Sequence, residues 1–424
     1  MLQISYIRKN RDEIINRLSK RNIDSTTLID KIIALDATRR KTQTELDQHL
    51  AEANSISKEI ANCFKTGNRE KAEELKAKST AMKDGNKVLN DKFHQLEQEL
   101  NHLLYELPNA PHKSVPLGKH AEDNEIVSSH GELPNLDEQA LPHWEIAAKY
   151  DIIDFELGVK IAGAGFPVYK GKGARLQRAL INFFLDEATS SGYHEVQPPH
   201  LVNEASGYGT GQLPDKEGQM YHVTADHLYL IPTAEVPITN LYRDVVINEK
   251  DFPIKNTGYT PCFRREAGSY GKDVRGLNRL HQFDKVEIVQ IAHPDTSYEV
   301  LDTMVDYVKT LLSKLELPFR VARLCGGDLG FTAALTYDME VFSAAQKKWL
   351  EVSSISNFES YQANRLKLRY RPNKGGKTEL AHTLNGSALA LPRILAAILE
   401  NNQTEKGVKI PEALVKYTGF EFID

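Results

Sequence analysis

Residues 261–283 place the most chemistry in the fewest positions. The stretch begins and ends in strand-like residues. Between them lie Gly268, Gly271 and Gly276 among Arg264, Arg265, Lys272, Arg275 and Arg279, a glycine-rich, basic loop. In a strand, Arg264 and Glu266 would point to one face, because side chains alternate. An arginine's planar fork clamps phosphate or carboxylate. A glutamate can accept from the amino group of adenine, and Phe283 offers a flat face for a base to stack on. The pairing suits ATP. The competing reading is a charged β-hairpin with cross-strand ion pairs.

Other nucleotide signatures fail on spacing. Lys170-Gly171-Lys172-Gly173 has no glycine at the P-loop offset and no Ser or Thr after the lysine. Gly207-Tyr208-Gly209-Thr210-Gly211 lacks the dinucleotide spacing. Neither a Gly-x-Ser-x-Gly elbow nor His-Glu-x-x-His occurs. The His-Ile-Gly-His and Lys-Met-Ser-Lys-Ser signatures of class I synthetases are absent too.

The elements that must position these residues fall into two unlike parts. Residues 1–105 are helical in character. A short amphipathic segment covers 7–18, and Thr26–Thr27 can cap a long helix. A 3–4 spacing runs Ile32, Leu35, Arg39, Thr42, Leu46, His49, Ala53, Ile56, Ile60, Cys63, then Leu75, Ser79, Met82, Asn86, Leu89, Phe93, Leu96, Leu100, Leu103. Thr66-Gly67-Asn68 stops the first helix, so an antiparallel hairpin over about 28–104 is expected, roughly 55 Å long. Arg39, Thr42, His49, Ser79 and Asn86 interrupt its seam. Dimerisation or spacing would explain such a hairpin as well as RNA contact. The basic residues Lys58, Lys65, Arg69, Lys71, Lys76 and Lys78 could touch phosphates.

Residues 106–120 read as a linker, broken by Pro108, Pro111 and Pro116. Beyond it, over 121–424, apolar runs bounded by Gly and Pro alternate with single helices, an α+β pattern of antiparallel sheet flanked by helices. The spacing predicts helices over 174–190, 296–315 and 387–401. It predicts strands near 195–199, 228–233, 256–292 (with the loop), 319–324, 336–342, 349–354 and 380–384.

Composition sets outer limits. The 424 residues exceed a usual single domain. Net charge is −5, so a nucleic-acid partner must be met by a local patch or by shape. Cys63, Cys262 and Cys325 are few, far apart and odd in number, which argues against a disulfide framework and a structural zinc. Charge comes too early after Met1 for a signal peptide, and no apolar run is long enough to cross a membrane, so a cytoplasmic location is expected.

Phe263-Arg264-Arg265-Glu266-Ala267-Gly268, then Arg275-Gly276-Leu277, then His281-Gln282-Phe283 resemble motif 2 of the class II aminoacyl-tRNA synthetases, specifically the seryl family. Thr233-Ala234-Glu235 is similar to that family's serine-pocket triplet. Asn385-Gly386-Ser387 with Pro392-Arg393 resembles motif 3, and residues 192–202 resemble motif 1, whose strand usually lies at a dimer interface. Glu351-Val352-Ser353-Ser354 looks like its nucleotide- and metal-contacting stretch. The resemblance extends over the arm and so over essentially the whole chain.

That resemblance implies a class II fold, a homodimer, and serine activation with ATP and Mg²⁺ before transfer to tRNA(Ser), with tRNA(Sec) following from shared shape. It implies ATP contacts from Arg264, Arg265, Glu266, Arg275, Phe283, Arg393 and residues 351–354, with Glu351 and Ser354 as Mg²⁺ ligands. Arg264 and Arg393 would be catalytic. Serine would be held by Thr233, Ala234, Glu235, Arg264, Glu287, Asn385 and Ser387. The arm would reach the tRNA of the partner subunit. Ser387 as a plain helix cap, and Glu287 and Glu351 as ordinary strand-edge charges, are the readings of these residues without the family. Val274 departs from the Thr common at its place. So does the stretch 163–169 ahead of motif 1. A carrier-protein aminoacylating paralogue would lack the long arm, and an inactive scaffold would have no need of Arg264, Glu266, Glu351 and Arg393.

Overall fold

The structure, a computed structural model, describes residues 1–136, 140–266 and 275–424. The chain divides into two compact units. One holds Met1–Ser19 with Ile23–Pro108, and the other holds Lys20–Asn22 with Asn109–Asp424.

In the first unit, α1 (Ile4–Lys9) and α2 (Arg11–Ser19) precede two long helices, α3 (Thr26–Lys65) and α4 (Arg69–Glu106), which form an antiparallel hairpin. The seam buries Ile32, Thr42, Leu46, Ile56 and Cys63 of α3 against Ala72, Phe93, Leu100 and Leu103 of α4. At the tip Gly67 takes φ +75°, and the Asn68 side chain accepts from the Lys71 N–H at 3.3 Å, capping α4. Two sequence expectations shift here. Thr26 is the first helical residue, and Asp24 Oδ1 accepts its N–H at 2.9 Å, so Thr26–Thr27 are not the cap. His49, placed on the seam by spacing, is exposed. Asp36, just beside the expected seam position Leu35, is wholly buried and paired with Arg8 at 2.5 Å and Arg39 at 2.9 Å. Two guanidiniums make that buried carboxylate tolerable.

The second unit is built on an antiparallel sheet. In chain order its strands are β1 (Glu125–His130), β2 (His194–Glu195), β3 (Ile254–Phe263), β4 (Gln282–Ala292), β5 (Phe319–Arg323), β6 (Leu335–Ser343), β7 (Lys348–Asn357) and β8 (His382–Ala390). Their spatial order is β1-β5-β6-β7-β8-β4-β3-β2, antiparallel except for the β2–β3 edge. Helices α5 (His143–Lys149), α6 (Gly171–Ser190), α7 (Glu235–Asn240), α8 (Ser297–Lys314), α9 (Tyr361–Leu366) and α10 (Leu391–Asn401) surround it. Leu176, Leu180, Phe183 and Phe184 of α6, Leu301, Met304 and Val308 of α8, and Ile394, Leu395 and Ile398 of α10 form one core with Val286 and Ile288 of β4.

The period of two along β4 is what makes a site possible. Val286 and Ile288 face that core, while Phe283, Lys285 and Glu287 line a cavity. In β8, Leu384 and Ala388 face the core, and Asn385 and Ser387 face the cavity. Ser387 therefore lies inside a strand and caps no helix. The helix expected from 387 starts at Leu391, because Gly386 and Ser387 are paired with Ile288 and Glu287 of β4. Other expected strands differ in length. Pro198 and Pro199 supply no N–H for a ladder, and that strand stops at Glu195. The 228–233 strand stops at Leu230, and the one expected over 349–354 runs on to Asn357.

The proline-rich stretch after α4 has no helix or strand but is packed. Asn109 and Ala110 are at most 1% exposed, and Val115 is also buried. Its polar backbone is paired: Asn109 N–H donates to Phe331 O at 2.9 Å and His112 N–H to Ala334 O at 2.7 Å. The stretch read as a linker is thus packed, because satisfied backbone groups let it bury.

Candidate active site

A cavity of about 500 Å³ opens on the sheet face away from the core, lined by residues of β4, β7 and β8, the chain after β3, and the start of α10. It gathers Arg264, Glu266, Phe283, Glu351, Val352, Ser353, Ser354 and Arg393 of the expected nucleotide set. From the expected serine set it gathers Thr233, Glu235, Glu287, Asn385 and Ser387.

One end is polar and almost dry. Lys285 Nζ donates to Thr233 Oγ1 at 2.8 Å and pairs with Glu287 Oε2 at 2.7 Å, with side chains 6% and 1% exposed. Thr233 Oγ1 donates to the same Glu287 oxygen at 3.4 Å. Glu287 Oε1 is buried with no hydrogen-bond partner. An orphaned carboxylate oxygen in a cavity wall is costly unless a ligand supplies the donor. Glu235 sits at the same end and accepts from Gln362 Nε2 at 2.6 Å, while Gln362 is held by Thr383 Oγ1 at 2.7 Å. Burial, then the charge of Glu287, pushes the Glu235 carboxyl up to about 7, against the opposing pull of Gln362, Lys285 and Arg264. Such an end suits a small, hydrophilic ammonium compound.

The other end is cationic and flat-walled. Arg264 lies over the Phe283 ring at 5.3 Å. Its N–H donates to His281 O at 2.9 Å, which holds the chain just past β3. Arg264 and Glu266 are not in a strand, since β3 ends at Phe263 and Glu266 takes φ +49°. They nevertheless line the same cavity. Glu266 is ion-paired with Arg279. Arg393, in the first turn of α10, donates Nε to Asn278 O at 3.0 Å and Nη1 to Glu351 O at 2.6 Å, which fixes its fork at the cavity edge.

Three expected contacts point elsewhere. Arg265 is exposed, and its N–H donates to Gln219 O at 2.9 Å. Arg275 stacks over Trp144 at 4.8 Å. Ala234 is buried in a small core with Ile238 and Val289. None of the three lines the cavity. Ala267-Gly268 and Val274 lie outside the described residues. The histidines near these motifs pack and hydrogen-bond rather than line the cavity. His281 stacks on Phe166 at 5.4 Å and shares a hydrogen bond with Tyr221. His382 is pushed down to about 4 by burial and bonds Ser297 at 2.8 Å.

Sequence reasoning missed Lys285, although charged residues at the alternate positions 285 and 287, between apolar Val286 and Ile288, were a usable signal. It also missed Gln362 and a buried relay behind the cavity wall. His143 Nε2 accepts the Leu277 N–H at 2.8 Å, so its Nδ1 carries the proton and donates to Glu400 Oε1 at 2.7 Å. Glu400 accepts further from Ser343 and Gln346. Burial would raise Glu400, but the His143 and Ser343 hydrogen bonds win and hold it below the usual carboxylate range.

Comparison with known proteins agrees with this geometry. Residues 221–402 match the family "tRNA synthetase class II core domain (G, H, P, S and T)", and residues 1–111 match "Seryl-tRNA synthetase N-terminal domain". The serine–tRNA ligase of Salinibacter ruber is 49% identical over 99% of this chain and 98% of its own length. That of Chlorobaculum parvum is 46% identical over 100% of both chains. The seryl-tRNA synthetase of Pyrococcus horikoshii, solved with ATP, superposes with a TM-score of 0.91 at 35% identity, covering 99% of each chain. The cytoplasmic serine–tRNA ligase of Naegleria fowleri, solved with AMP, gives 0.86 at 29% identity, covering 100% of this chain and 99% of that one. The chain belongs to the seryl-tRNA synthetase family, class II ligases that activate serine with ATP and pass it to tRNA.

Proposed function

We propose that the two ends of the cavity divide the first reaction between them. Glu235 and Glu287 receive the serine ammonium, with the orphaned Oε1 of Glu287 as the first acceptor. Thr233, Asn385 and Ser387 surround the hydroxyl, so alanine would leave polar groups unpaired and be rejected strongly. Adenine stacks on Phe283 and is held by Glu266, and Arg264 moves from the Phe283 face to bridge the serine carboxylate and the α-phosphate. There its charge offsets what builds up as the carboxylate oxygen attacks phosphorus and pyrophosphate leaves. Arg393 takes the γ-phosphate. No enzyme nucleophile is needed, because the serine carboxylate attacks first and the tRNA 3′-terminal hydroxyl attacks afterwards.

The oxygens of Glu351 and Ser354 at the cavity wall fit Mg²⁺. Nearby, Asp338 is close to Ser354, and its buried Oδ1 has no hydrogen-bond partner. Burial and the Glu351 charge raise Asp338 well above the usual carboxylate range. Among the described residues no group of three His, Cys, Asp or Glu side chains could hold a metal. Glu351 and Ser354 would hold Mg²⁺ there together with the nucleotide, and the ion would neutralise phosphate charge.

The helical hairpin is the tRNA-binding element, reading the long variable arm of tRNA(Ser), and of tRNA(Sec), by shape. The enzyme works as a homodimer in the cytoplasm. No helix among the described residues is long and apolar enough to cross a membrane.

The observation that carries the site assignment is the orphaned carboxylate oxygen of Glu287 beside Lys285 and Thr233, facing Arg264 across one cavity. Amino-acid-dependent ATP–pyrophosphate exchange across the amino acids tests it. Serine is expected as the one strong substrate, and Arg264→Ala is expected to slow exchange by more than about tenfold. Strong exchange with another amino acid, or an unaffected R264A enzyme, contradicts the assignment.

A further inference from the structure

One loop of the cavity wall, residues 329–333, has no strand or helix of its own. Its Gly330, Thr332 and Ala333 line the cavity. What holds it comes from far away in sequence. Arg21 lies in the segment Lys20–Asn22, which separates α2 from α3 in the chain yet belongs to the catalytic unit. Its guanidinium donates Nη1 to Leu329 O at 2.7 Å and Nη2 to Gly330 O at 3.0 Å and Ala333 O at 2.7 Å. Its Nε donates to Asn109 O at 2.9 Å. Asn109, wholly buried, completes the clamp through its own N–H to Phe331 O and its Nδ2 to Thr332 O and Phe358 O at 2.8–2.9 Å.

Four main-chain carbonyls, and no carboxylate, take up the donors of this half-buried arginine. Burial pushes it down to about 10, so it still carries its charge at neutral pH. Only a planar, five-donor fork spans carbonyls facing it from several directions, and a lysine's compact ammonium cannot. The loop it fixes leads on to the polar end of the cavity. The Thr332 methyl packs so closely on Gly211 that no side chain would fit there. The neighbouring Thr210 O accepts from Gln362 Nε2 at 3.0 Å, the amide that also holds Glu235.

We propose that Arg21 is a positioning residue of the serine pocket, setting residues 329–333 and through Thr332 and Gln362 the place of Glu235. The proposal rests on the assignment of Glu235 and Glu287 to the serine ammonium. It makes a residue from the N-terminal part of the sequence a determinant of amino-acid affinity, although it touches no substrate.

The test is steady-state pyrophosphate exchange by the full-length enzyme, with serine and ATP varied separately. Arg21→Gln should raise the KM for serine about tenfold, while the KM for ATP and kcat change by no more than about twofold to threefold. Arg21→Lys, which keeps the charge and loses the fork, should fall between R21Q and the wild type. Leu414→Ala, a core change away from the cavity, serves as a control for lost thermal stability and should leave the KM for serine unchanged. The idea is overturned if R21Q, or R21K should R21Q not fold, keeps the wild-type KM for serine, or raises both KM values together. Glu287→Gln separates the two levels of inference. An unchanged KM for serine in E287Q means that the pocket assignment has failed. A raised KM in E287Q with a normal one in the Arg21 variants means that only the Arg21 role has failed.

Discussion

At the scale of single residues, the site is a set of unmet demands. Glu287 presents a buried oxygen with no donor, and Glu235 is a carboxyl whose proton is lost only at about 7 because burial and Glu287 oppose its charge. The sign of the pH dependence follows. Below about 7 the free enzyme holds Glu235 protonated, and a neutral carboxyl binds an ammonium poorly. The kcat/KM for serine in exchange should therefore fall as pH drops through about 7, and Glu235→Gln should remove that inflection while raising the KM. A profile flat from pH 8 to pH 6, on the order of that ionisation, would show that Glu235 does not meet the substrate charge. Most of these residues were legible in sequence because motif spacing carries them. Lys285 was overlooked because the motif that was recognised ends at Phe283, two residues before it. Arg265, Arg275 and Ala234 belong to the same motifs as the lining residues, but spacing alone does not say which neighbour faces a cavity.

At the scale of elements, the helical hairpin and the long strands were readable because each repeats its own period many times. What was not readable is what distant segments do for one another. His143 and Glu400 are 257 residues apart, and nothing local marks either as the other's partner. Their hydrogen bonds tie α5 and α10 to the Leu277 N–H, and Leu277 and Asn278 form cavity wall beside Arg393. His143→Ala strands the Leu277 N–H without a partner in a dry interior and takes from buried Glu400 one of the three hydrogen bonds to its Oε1. It should cost about 2–4 kcal/mol in a denaturant titration, beyond the loss of ring volume. A loss under about 0.5 kcal/mol, the range of surface changes, would show that the relay is not needed. The 106–120 stretch makes the same point from the other side. Its prolines marked it as a linker without helix, and Asn109 and His112 bury it by pairing with the backbone of residues 331–334.

At the scale of the whole molecule, the chain divides into two compact units, and the proposed function assigns tRNA to one and the small substrates to the other. Removing residues 28–104 should leave serine-dependent exchange within about threefold of normal, since the cavity is lined from the second unit alone, and should abolish tRNA charging. Charging that survives the deletion would remove the arm from tRNA recognition. The cavity's assignment is tested at first hand by a crystal structure with seryl-sulfamoyl-adenosine, a stable mimic of the adenylate. Its ammonium should lie within hydrogen-bond distance of Glu287 Oε1, its adenine on Phe283 and its sulfamoyl group against Arg264. An analogue bound with its amino group away from Glu235 and Glu287, or with Arg264 still lying on Phe283, would contradict that assignment.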